Sequence, residues 1–184
     1  MTAIRRLALP EVVLITHARH ADQRGWFEVP WTETLMAEAG LRRPFVQDNQ
    51  AFNAKKGTVR GMHFQTAPHA QGKLVRALRG VVYDVAVDIR PGSATLGQWV
   101  GVELTAERPE SLWVPRGFAH GYCTLTDEAE LFYKVDGDYA PSCEGGIAWN
   151  DPDLRIDWPL AGAPILSERD AGLPRLRDLG AVSF

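Results

Sequence analysis

The stretch from Val81 to Ile89 constrains the fold most, because Val81, Tyr83, Val85, Val87 and Ile89 alternate with Val82, Asp84, Ala86 and Asp88. A period of two sends successive side chains to opposite faces, so the segment reads as a β-strand. One face is apolar, and the other carries two carboxylates among small neighbours. Lys73 to Arg79 and Gly97 to Thr105 read as flanking strands, set off by turn signals at Arg79-Gly80 and Arg90-Pro91-Gly92-Ser93. Ser111 to Pro115, Gly121 to Thr126 and Ala129 to Val135 continue the series. One early helix is expected from Thr32 to Ala39, with Thr32 as its N-cap and Gly40 as its stop. Short strands at a spacing of roughly 8–12 residues, punctuated by Gly and Pro, predict an all-β sandwich or barrel. From Asn150 to Asp178 the chain is rich in Pro, Asp and Leu and should wrap that core as irregular structure or short helices. Nothing has the composition of a linker or a repeat, so one domain over residues 1–184 is expected.

With 45% apolar and 23% charged residues, the chain can bury a sizeable core without staples. A net charge of −3, with Arg and Lys spread along the chain, gives no electrostatic case for nucleic acid as a partner. The two cysteines, Cys123 and Cys143, lie in no metal-ligand spacing and read as reduced thiols. No apolar run approaches a membrane span, and MTAIRRLALP lacks the apolar stretch of a signal peptide. A cytoplasmic location is expected.

Val114-Pro115-Arg116-Gly117-Phe118-Ala119-His120-Gly121 fits the second motif of the cupin jelly roll, in which Pro-x-Gly-x-x-His turns into a strand and aims the His into a barrel. The bland alternative is a Pro/Gly turn with a core histidine. Metal cupins also need a His-x-His pair and a Glu. The equivalent stretch is Arg60-Gly61-Met62-His63-Phe64-Gln65, with Gln65 in place of the second His and no carboxylate before Asp84. His63 and His120 are too few ligands for a stable transition-metal centre, so a metal-free site is expected. Arg60, Lys73 and Arg76 should make the barrel mouth electropositive, which suits an anionic substrate. A His, a Tyr and a Lys in a barrel without metal point to proton transfer beside a carbonyl. Arg60 and His63 have opposite strand parity, so both reach one pocket only if Gly61 bends the strand.

The chain resembles the dTDP-4-dehydrorhamnose 3,5-epimerases, metal-free cupins of deoxysugar synthesis. The resemblance rests on DQRGWF, FVQDNQ, RGMHFQ, QGKLVR, YDVAVDIR, WVPRGFAHGY, LFYKVDGDYAP, WNDPDLRIDWP and LSERD, in that order along most of the chain. It implies a cupin-type double-stranded β-helix (a jelly-roll barrel) with short helices and an irregular C-terminal segment. It also implies a cofactor-independent epimerase acting on a dTDP-linked 4-keto-6-deoxy sugar, working as a homodimer with exchanged N-terminal strands. Val12-Val13-Leu14-Ile15 is a weak sign of such an edge pairing. By resemblance, His63 is the base, Asp170 its orienting carboxylate, Tyr133 the acid on the opposite face, and Lys73 the donor to the ketone oxygen. Arg24, Gln47, Asp48, Asn49, Arg60, His120 and Glu144 match substrate contacts, and Tyr139 an aromatic neighbour of the nucleotide.

Two departures stand out. The family usually places a substrate-binding Glu five residues beyond Arg24; Val29 is there instead, with Glu28 one residue early. Arg169, also expected at the substrate, stands where a Lys is common. These changes leave the sugar and the number of inverted centres open. A single-centre 3- or 5-epimerase of another nucleotide sugar is the nearest alternative. A metal-dependent cupin and a non-catalytic sugar-nucleotide binder are more remote.

Overall fold

The computed structural model describes residues 2–184. The chain opens with β1 (Ala3–Arg6) and β2 (Val13–Thr16), then the hairpin β3 (Arg19–Asp22) and β4 (Gly25–Glu28). Helix α1 (Glu33–Glu38) follows, capped as expected by the Thr32 hydroxyl, which accepts from the Leu35 N–H. Next come β5 (Gln47–Asn53), β6 (Val59–Gln65), β7 (Lys73–Arg79), β8 (Val81–Asp88) and β9 (Trp99–Thr105). The last strands are β10 (Glu110–Val114), β11 (Phe118–Thr124), β12 (Ala129–Val135) and β13 (Glu144–Gly146). Short helix α2 (Glu168–Ala171) lies in the tail.

Two antiparallel sheets face each other, ordered β1-β2-β10-β7-β12-β5 and β13-β6-β11-β8-β9. This is the expected all-β jelly roll. Three apolar layers follow from it. Between the sheets, Val75, Leu112, Leu131, Val82, Ala86 and Phe118 form the interior. The tail lays Ile156, Trp158, Leu176 and Phe184 over the outer face of β8, against Val85, Val87 and Ile89. Helix α1 covers Val13, Ile15 and Leu74 on the outside of the other sheet. Each fully buried Leu, Ile or Phe contributes about 1.5–3 kcal/mol.

The two faces of β8 therefore reverse a simple reading of its alternation. The carboxylate face is not solvent-exposed but points inward, and Asp84 and Asp88 are both 0% exposed. Asp88 is satisfied by Arg90, Ser93 and Thr95. Burial opposes its charge, but these donors outweigh burial and hold its pKa at about 2. The edge expected at Val12 to Ile15 is also corrected. Strand β2 is paired on both sides, by β1 and β10, and is buried. The true edge is β1, whose four residues are all exposed.

Candidate active site

A cavity of about 290 Å³ opens between the sheets, lined by Gln47, Asn49, His63, Gln65, Lys73, Tyr133, Tyr139 and Glu144 among others. His63, Gln65 and Glu144 come from β6 and β13 of one sheet, while Gln47, Asn49, Lys73 and Tyr133 come from β5, β7 and β12 of the other. The cavity thus has two chemically distinct walls.

His63 reaches this cavity through a bulge. Strand β11 pairs His120 with His63 but Tyr122 with Arg60, so β6 holds one residue more than its partner between these pairs. Gly61 takes φ +114° there, and a Cβ on it would lie 2.6 Å from the Gly121 Cα. The bend expected at Gly61 is therefore present, although Arg60 is not among the residues lining the cavity. Arg60 donates to the Asn53 carboxamide at 2.8 Å, and its charge tends to lower the Tyr133 pKa.

His63 Nε2 lies 2.6 Å from Asp170 Oδ1, while Asp170 Oδ2 accepts the Gly61 N–H at 3.2 Å. The N-cap Ser167 holds the Asp170 N–H, fixing the carboxylate on α2. An ionised carboxylate only accepts, so Nε2 carries the proton and Nδ1 is left as the basic atom. Burial, the largest cause, lowers the His63 pKa from 6.5; Asp170 pulls it up, and Lys73 and Arg169 add to the fall, which prevails. A neutral imidazole is thereby kept ready as a base.

On the facing wall, burial lowers Lys73 to about 8, against the pull of Asp84 and Glu144. Tyr133 is pushed up by burial, which keeps its phenol protonated. At the rim, Glu144 Oε2 accepts from the Tyr139 hydroxyl and from Arg169, each at 2.9 Å. Burial opposes the Glu144 charge, but Arg169 and Tyr139 outweigh it and lower its pKa.

Not every expected residue joins this group. His120 is buried behind the cavity wall, with Nε2 2.9 Å from Asp84 Oδ1. Asp48 falls on the outer face of β5 and pairs with Lys134 at 2.8 Å, because it alternates with the inward Gln47 and Asn49. Arg76 also points outward and binds Glu28 instead of the barrel mouth. Arg24 lies on the β3–β4 hairpin, its side chain 86% exposed and paired only with Asp22. Sequence reasoning missed Asp84 as the partner of His120 and a charge acting on Lys73; its signal was a carboxylate on the small-residue face of β8.

Among the described residues, no three His, Cys, Asp or Glu side chains come together in a way that could hold a metal. Among the same residues, no helix is long and apolar enough to cross a membrane.

The family model for dTDP-4-dehydrorhamnose 3,5-epimerase matches residues 6–178. The chain belongs to the dTDP-4-dehydrorhamnose 3,5-epimerase family. Like the family's other members, it is an isomerase of the epimerase type. It is 46% identical to the dTDP-4-dehydrorhamnose 3,5-epimerase of Salmonella typhimurium over 177 residues, 96% of each chain. It is 50% identical to the Pseudomonas aeruginosa epimerase over 166 residues, 90% of this chain and 91% of that one. A Legionella pneumophila epimerase, solved with dTDP-4-keto-L-rhamnose, superposes with a TM-score of 0.93 at 40% identity. That alignment covers 98% of this chain and 95% of the Legionella chain.

Proposed function

We propose that the protein inverts C3 and C5 of a dTDP-4-keto-6-deoxyhexose through an enolate, without a cofactor, in deoxysugar synthesis. One observation carries this reading: the His63–Asp170 pair and Tyr133 enter one cavity from opposite sheets, with Lys73 beside them. His63 Nδ1 removes the proton α to the C4 ketone, and the electron pair moves onto the ketone oxygen. The Lys73 ammonium stabilises that oxygen. Tyr133 then delivers a proton to the opposite face of the same carbon. A single base returning its own proton would restore the starting stereocentre, so two groups across the cavity are what inversion needs. A positioned base supplies roughly 10²–10⁴-fold and a donor at the oxyanion about 10²–10³.

Gln47, Asn49, Arg60, Tyr139, Glu144 and Arg169 are the substrate contacts of this reading, with His120 acting from behind through Asp84. Asp48 has no place among them within one chain, since its pairing with Lys134 turns it away. Arg24 acts in a homodimer, reaching the neighbour's cavity; the exposure of Trp26, Phe27 and Val29 beside it supports a partner surface.

One feature favours a single-centre epimerase as the second reading. Glu28 is turned inward to Arg19, Arg76 and His17, and Val29 stands at the position where the family usually has a substrate-binding Glu. Incubation with dTDP-4-keto-6-deoxyglucose in D₂O, followed by NMR, separates the readings. Deuterium at both C3 and C5 is the expected result. Deuterium at one carbon assigns the single-centre activity, and none at either carbon overturns both.

A further inference from the structure

We infer that Gln65 is a positioning residue that locks Tyr139 at the mouth of the cavity. The residue is 4% exposed, and its carboxamide makes three hydrogen bonds, all to loop backbone. Nε2 donates to the His69 carbonyl at 2.6 Å and to the Asp138 carbonyl at 3.0 Å, and Oε1 accepts the Ala140 N–H at 2.8 Å. Asp138 and Ala140 flank Tyr139, so one side chain grips the backbone on both sides of that residue.

The rest of the segment from β12 to Tyr139 is held in the same way. Arg116 donates to the Asp136 carbonyl at 2.7 Å, and Gln71 to the Gly137 carbonyl at 2.7 Å. The Asp136 carboxylate accepts the Gly72 N–H at 2.7 Å. The strap 136–140 is therefore held largely by side chains from other elements. Left free, a loop with so few partners would fray. Gripped, it presents Tyr139, half exposed, with its hydroxyl aimed at Glu144.

The chemistry explains why this position holds a Gln. Only a carboxamide offers two donors and an acceptor on one short planar group. A neutral imidazole has a single donor, and a carboxylate would face two carbonyl oxygens with none. Gln65 is thus a side chain with its own task, and no longer only the place where a metal ligand is missing.

The inference rests on Tyr139 being a contact for the nucleotide sugar, and the experiment separates the two. Gln65→Met keeps the length and volume of the side chain while removing all three bonds. Hydrogen exchange at the Ala140 amide needs no substrate, and its rate should rise about tenfold or more in the variant. The Kd for dTDP and the KM for dTDP-4-keto-6-deoxyglucose should both rise by about tenfold, with kcat falling by less than KM rises. In a Tyr139→Ala background, adding Gln65→Met should change Kd and KM little, because the two residues act through one contact. Unchanged Ala140 exchange overturns the clamp. Equal penalties in both backgrounds overturn its action through Tyr139. A Tyr139→Ala variant that binds dTDP as well as wild type overturns the reading of Tyr139, while the Ala140 amide still decides the clamp.

Discussion

The cavity between the sheets makes its polar contacts within one chain, whereas the β3–β4 hairpin leaves Arg24, Trp26 and Phe27 in solvent. His63, Lys73, Tyr139 and Glu144 each have an in-chain hydrogen-bond partner. On the hairpin, Trp26 is 57% and Phe27 67% exposed, and among the described residues the Arg24 side chain hydrogen-bonds only Asp22. The hairpin is nonetheless anchored firmly. Glu28 at its end is buried against Arg19, Arg76 and His17, and although burial opposes its charge, these partners, led by the Arg19 hydrogen bond and the Arg76 charge, outweigh it and lower its pKa. A firm anchor under an exposed apolar tip, with Arg19 stacked over the Trp26 ring at 4.0 Å, suits the proposed homodimer contact. In the proposed function the cavity carries the chemistry and the hairpin completes a neighbour's.

His63→Ala tests the first half of that contrast and should have the largest effect. Loss of the base should lower deuterium incorporation by roughly 10³-fold at every exchanging carbon. Asp170→Asn should follow it closely, since an amide no longer fixes the Nε2–H tautomer. Exchange that survives His63→Ala would move the base elsewhere in the cavity.

Tyr133→Phe removes the acid from the opposite wall and leaves the base in place. Inversion should fall about 10²-fold, while His63 still lifts protons and returns solvent deuterium to its own face. Washed-in deuterium without epimerised product is the expected NMR signature. An equal loss of exchange and inversion would mean that the two walls do not divide the work.

Arg24→Ala bears on the hairpin. KM should rise about tenfold with a smaller change in kcat, the pattern of a lost binding contact. Mixing Arg24→Ala with His63→Ala after unfolding and refolding sharpens the test. If Arg24 serves the neighbour's cavity, hybrid dimers hold one site with both residues intact, and activity exceeds the sum of the separate variants. A mixture no better than that sum would return Arg24 to its own chain.

Much of this was legible in the residues, because period and punctuation are local. Strands β7 and β12 fall where the alternation puts them, and α1 begins at the Thr32 cap. His63, Tyr133, Lys73 and Glu144, named together by the family resemblance, do line one cavity. What was not legible depends on which side of a strand faces what. Alternation separates Asp48 from Asn49 but cannot say which points inward, and Arg76 differs from Lys73 in the same way. The carboxylates of β8 were visible as a pattern, but their burial depends on the second sheet closing over them. The lowered pKa of His63 was not legible either, because burial belongs to the whole fold.

Asp84 and Asp88 share one inward face of β8, and only Asp84 faces the cavity group, so Asp88→Asn gives the smallest expected effect on catalysis. Activity at pH 7 should stay near wild type. Stability should not. The folded pKa of Asp88, about 2, lies below the unfolded value of 3.8, so its carboxylate stabilises the native state above that value. The gain is lost as pH falls through 3.8 toward 2, because the proton that unfolding favours is then bound in both states. The shift corresponds to about 2 kcal/mol. Urea unfolding at pH 7 should find Asp88→Asn less stable by about that amount, with the gap to wild type closing toward pH 2. A constant gap across that range would assign the loss to altered packing of the Arg90–Ser93–Thr95 turn instead of to the charge.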